Sequence, residues 1–109
     1  MKNVIWLGSS RLDLREFPAS VQDASFAIIG LQLFYPQQGR RADDWKPINT
    51  VGQGVEEIRM RDATGAFRVI YYARRADSIY VLHAFQKKTQ QTPLQDLRLA
   101  KKRFLEIEG

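Results

Sequence analysis

Apolar residues recur along this chain with two different periods. Through residues 19–35 they fall at Val21, Ala24, Ile28, Leu31 and Tyr35, with Phe26 and Ile29 widening the stripe. That is the spacing of one helix face. Between residues 55 and 85 the period drops to two. Ile58 and Met60 oppose Glu57, Arg59 and Arg61; Phe67, Val69 and Tyr71 oppose Arg68, Ile70 and Tyr72. Ile79 to Phe85 is apolar on both faces apart from His83, the pattern of a strand covered on both sides. The spacing predicts a helix over 19–34 and strands over 55–61, 67–73 and 79–85. Short turns at Asp62-Ala63-Thr64-Gly65 and Arg74-Arg75-Ala76-Asp77 join them into an antiparallel meander.

The flanks complete the order. Asn3 to Leu7 reads as a short strand, rich in β-favouring Val4, Ile5 and Trp6 and stopped by Gly8-Ser9-Ser10. Either serine is able to cap a short helix over 11–17, and Pro18 restarts the chain as the second helix. Pro36 and Gln37-Gln38-Gly39 end that helix, and Asp43-Asp44-Trp45-Lys46-Pro47 reads as a loop anchored by one aromatic. Thr92-Pro93-Leu94-Gln95 forms a capping box before a last helix, with Leu94, Leu97, Ala100, Phe104 and Ile107 on one stripe. The expectation is a single α+β domain over residues 1–109. In it an N-terminal strand and helix pair pack on a twisted antiparallel sheet, the first strand joins the meander, and a helix closes the chain.

Charge adds a direction. Among 109 residues, 17 Lys+Arg stand against 12 Asp+Glu, a formal +5. Residues 1–50 carry six basic and five acidic side chains, whereas residues 51–109 carry eleven and seven. The excess therefore lies on the meander and last helix, where a solvated face or a polyanion site is expected. The absence of cysteine removes disulfides, thiolate metal sites and a Cys nucleophile. A single histidine removes multi-His metal clusters and a paired-His catalytic centre. The longest apolar stretch, residues 26–35, is about half of a bilayer span, and the N-terminus lacks a signal-peptide core. A cytoplasmic protein that uses no cofactor and no metal is expected.

Four segments in order carry a resemblance: Gly54-Val55-Glu56-Glu57-Ile58-Arg59, Phe67-Arg68-Val69-Ile70-Tyr71-Tyr72, Leu82-His83-Ala84-Phe85-Gln86-Lys87-Lys88-Thr89 and Thr92-Pro93. With the element order they make the chain similar to the phage-derived Gp-type branch of the RelE/HigB toxins, part of the RelE/ParE toxin superfamily. The likeness covers roughly the whole domain, and its motifs lie in residues 54–100. It implies a RelE-like fold and the toxin half of a type II toxin–antitoxin pair. It further implies a ribosome-dependent mRNA endoribonuclease that inhibits translation, with mRNA and the ribosome as partners and a helix-turn-helix, HigA-like antitoxin. The alternatives are a ParE-like gyrase inhibitor and a non-catalytic nucleic-acid- or protein-binding module of phage origin.

Metal-free RNA cleavage directs the ribose 2′-hydroxyl at the adjacent phosphorus, and a chain with one histidine must stabilise the extra charge with Arg and Lys. The resemblance places catalysis on Arg68, Arg59 and Lys87. RNA contacts are expected from Arg61 and Lys88, and from Lys101 and Lys102 on the last helix, with Arg103 beside them. Arg68 stands out on its own terms, being a cation inside an apolar strand, where it needs a bound anion or a partner such as Glu57. Glu57 reads as a base for the 2′-hydroxyl or as that partner. Tyr71 and Tyr72 are candidates to stack on a base, although strand tyrosines chiefly pack. His83 is an auxiliary candidate whose alternative is a hydrogen-bonded core residue.

Overall fold

The computed structural model describes residues 3–34, 45–75, 78–88 and 93–108. The elements run β1 (Asn3–Trp6), α1 (Ser10–Arg15), α2 (Ala19–Phe34), β2 (Trp45–Pro47), β3 (Val55–Asp62), β4 (Gly65–Tyr72), β5 (Ser78–Lys87) and α3 (Leu94–Glu108). The strands form one mixed sheet in the order β1-β5-β4-β3-β2. The meander is antiparallel, while β1 joins it parallel to β5, Asn3 opposite Ser78 and Trp6 opposite Val81. This is the expected α+β architecture, compatible with a RelE-like fold.

The alternating strands feed two cores, one on each face. Ile58, Met60, Phe67, Val69, Tyr71, Ile79 and Val81 meet Leu14 of α1, Phe17 of the connection and Val21 of α2. Val55, Ile70 and Leu82 meet Ala100 from α3, with Leu97, Phe104 and Ile107 packed around them. Leu94 departs from the expected stripe and is exposed, because it opens the helix before the helix crosses the sheet.

Three local expectations are corrected. The stretch read as a loop at Trp45-Lys46-Pro47 is a strand, pairing Trp45 with Ile58 and Pro47 with Glu56. It lies at the sheet edge, where proline's missing N–H costs no ladder bond. Neither serine caps α1 with its side chain. Ser9 Oγ instead donates to Asp13 (2.7 Å), and Ser10 Oγ donates to the Val81 carbonyl (3.1 Å), tying the helix to β5. In the described half of α2, the buried positions are Val21 and Ser25; Ala24 and Phe26 are exposed. The side chains of Ile28, Leu31 and Tyr35 lie outside the described residues, as do Asp43, Asp44 and Thr92 of the capping box.

β5 carries a β-bulge. Val81 faces Tyr71 and His83 faces Ile70, so Leu82 has no opposite number on β4. An extra residue reverses the inward–outward alternation beyond it. Tyr80 and Leu82 point to the α3 side, and after the bulge His83, Phe85 and Lys87 do so as well. Arg103 holds the irregular point. Buried in α3, it donates from Nη1 to the Leu82 carbonyl (2.8 Å) and from Nη2 to Ser9 Oγ (3.1 Å). Its guanidinium lies against Gly8, which turns with φ +54° and where any Cβ would come within 2.5 Å of Arg103 Nε. The expectation that Arg103 contacts nucleic acid beside Lys101 and Lys102 is therefore replaced by a role in the fold.

Candidate functional site: a basic cross-strand lattice

On the α3 side, strand pairing places the candidate residues in three lateral rows. Lys46, Glu57, Ile70 and His83 make the first, Arg59, Arg68 and Phe85 the second, and Arg61, Ala66 and Lys87 the third. Side chains in such rows stand about 5 Å apart at Cβ. α3 packs chiefly on β5 and covers the apolar end of this face, leaving the second and third rows at the other end. The strands thus bring together five of the predicted residues, Arg59, Arg61, Arg68, Lys87 and Glu57. Lys46, assigned by sequence to a loop, joins them because it lies on β2.

Arg68 is buried, and its Nε lies 3.6 Å from Glu57 Oε1, with the two side chains 8% and 1% exposed. Its Nη1 donates to the Phe67 carbonyl at 3.1 Å. Glu57 is the partner that makes a cation tolerable within the strand. Arg59 is half-buried beside Arg68, its Nε without a hydrogen-bond partner among the described residues, and Arg61 is exposed at the strand's end. Arg59, Arg61 and Arg68, with Met60, line a hollow of about 140 Å³.

Lys87 closes the lattice from β5. Burial holds its ammonium below the usual lysine range, and Arg68 pushes in the same direction; Glu57 opposes, while Lys46 and Arg59 add to the lowering. A lysine so placed exchanges protons more readily than an isolated one. Lys88 is exposed just beyond the strand.

The remaining candidates lie elsewhere. Lys101 and Lys102 are exposed on α3, lining a separate shallow surface with Arg98, Leu105 and Glu106. Tyr71 is on the opposite face, buried, and donates to Glu56 Oε1 at 2.8 Å. Tyr72 packs edge-on against Phe104. Both tyrosines serve packing, because their alternation points them into the two cores. His83 is buried with its Nε2 2.6 Å from Asp96 Oδ1, joining β5 to the first turn of α3. Asp96, which sequence alone marks only as a lone acid among basic residues, is that histidine's partner. Among the described residues, no group of three or more His, Asp or Glu side chains is placed to hold a metal ion, and no helix is long and apolar enough to cross a membrane.

No curated protein matches the chain. A protein-family model does, over residues 12–105, and its description is "Phage derived protein Gp49-like". The match runs from α1 to the last turns of α3 and includes every residue of the basic lattice, so the chain belongs to the phage-derived Gp49-like family.

Proposed function

We propose that this protein is the toxin of a type II toxin–antitoxin pair and cleaves mRNA at the ribosome without a metal ion. The observation that carries the reading is the lattice of Arg59, Arg61, Arg68 and Lys87, in which the three arginines line one polar hollow and Lys87 feels the charge of Arg68 and Arg59. Association of the Gp49-like family with RelE-like toxins supports it.

In the proposed reaction, the 2′-hydroxyl gives its proton to solvent water as its oxygen bonds to the adjacent phosphorus, and the bond to the 5′-oxygen breaks, leaving a 2′,3′-cyclic phosphate. Arg68 and Arg59 stabilise the extra negative charge on the phosphorane, where fixed cations act most strongly. Lys87 gives its proton to the departing 5′-oxygen, a task that its lowered affinity for that proton favours. Glu57 is too deeply buried to meet the 2′-hydroxyl and serves by holding Arg68. Arg61 and Lys88 hold flanking phosphates, with Lys101 and Lys102 on more distant backbone. A cognate helix-turn-helix antitoxin neutralises the toxin in the cytoplasm.

Inducible expression with mapping of mRNA 5′ ends tests the reading. Cuts within translated messages, lost in a folded Arg68→Ala variant, are expected. Gyrase-linked DNA breaks without mRNA cuts, or unimpaired growth, overturn it.

A further inference from the structure

Phe85 sits among the cations at the margin of the α3-side core. It occupies the same cross-strand row as Arg68 and Arg59, and the next outward position on its strand is Lys87. The apolar core on this side needs only part of it, since the ring packs at the margin and remains partly exposed. One side of the ring is already occupied. His83 stacks on it with centroids 5.0 Å apart and planes 19° from parallel. His83 is itself fixed by its 2.6 Å contact with Asp96. The stack is thus pinned at the α3 end, and Lys87 follows Phe85 on the same face of the strand.

We infer that the side of the Phe85 ring away from His83 is a stacking platform for one unpaired nucleobase of an RNA strand whose phosphates lie on Arg59, Arg68 and Lys87. This rests on the reading of the lattice as an RNA site and adds to it a preference for single strands. Any base offers a π-face to such a ring, so the platform selects unpaired over paired RNA without selecting sequence. A rigid backing matters because a ring already held in place loses little freedom when the base arrives. The bulge at Leu82 is what turns Phe85 to this side; in unbroken alternation it would face α1.

The probe is a short 2′-O-methyl RNA carrying one 2-aminopurine, which cannot be cut by 2′-hydroxyl attack, compared with a duplex of the same sequence. The parent protein is expected to bind the single strand and to quench the 2-aminopurine. Phe85→Leu keeps apolar bulk, so its fold is checked by thermal melting. It is expected to weaken single-strand binding about tenfold, abolish the quenching and leave duplex binding unchanged. Phe85→Trp is expected to restore both readouts. Equal weakening for single strand and duplex, or no weakening, overturns the platform while leaving the RNA site intact. A parent that binds neither probe overturns the RNA site and the platform together.

Discussion

Replacing Glu57 with glutamine tests whether the buried ion pair sustains the lattice. The carboxylate is 3.6 Å from Arg68 Nε and both side chains are almost fully enclosed. At an effective dielectric of about 20, opposite charges at that separation attract by about 4–5 kcal/mol. Desolvation of both groups offsets much of this gain, but removing one partner leaves the other's desolvation cost in place. Glu57→Gln is therefore expected to lose about 3 kcal/mol of stability in urea unfolding, and on the order of 10 °C in Tm. Arg68→Met alone should also destabilise. The double variant should fall short of the sum of the two by about 1–3 kcal/mol, because the pair is lost only once. At the same time Glu57→Gln removes a negative charge from the face proposed to bind phosphate, so affinity for a 2′-O-methyl RNA at low salt is expected to rise. A Glu57→Gln protein as stable as the parent, with additive effects in the double variant, would refute the argument.

Three further outcomes follow from particular contacts. Lys87 is held below its ordinary value, so the folded chain binds its proton less well than the unfolded chain, and stability should climb as pH rises from the lowered value towards 10.5; Lys87→Met should lack that climb in melts between pH 7 and pH 10 while losing mRNA cleavage. Gly8→Ala forces both a left-handed backbone and a Cβ against Arg103, and is expected to cost about 2 kcal/mol or more in urea unfolding; a parent-like midpoint contradicts the tie to the bulge. Asp96→Asn replaces a charge-assisted hydrogen bond with a neutral one, and should cost about 1 kcal/mol, read as faster amide exchange in the first turn of α3.

The elements were legible in the sequence because their periods are clean: β3 and β4 alternate without interruption, and Pro18 and Pro93 mark helix starts. What escaped was set by partners distant in the chain. β2 has no strand signal of its own and exists because β3 offers it a free edge. The bulge leaves no mark in a run where almost every residue is apolar, so alternation alone could not tell that Lys87 shares a face with Arg68. Arg59, Arg61, Arg68 and Glu57 were legible as a group because parity on two well-patterned strands decides their side. Arg103 looked like its exposed neighbours Lys101 and Lys102, and only the helix's rotation against β5 separates them. His83 was open between catalyst and core residue, and the contact with Asp96 depends on where α3 lands.

The parallel pairing of β1 with β5 also governs when the fold is able to close. Asn3 finds its neighbour only at Ser78, and Ser9 meets Arg103 94 residues later in the chain. At common rates of synthesis the first strand waits on the order of several seconds for its partner to be made. Contacts of such long range slow the search for the native state. Arg103 donates to the bulge that orients Phe85 and Lys87, so the last contact at that point is made only when α3 docks. A nascent chain that ends before Arg103 therefore lacks the contact that ties the bulge of β5 to Ser9.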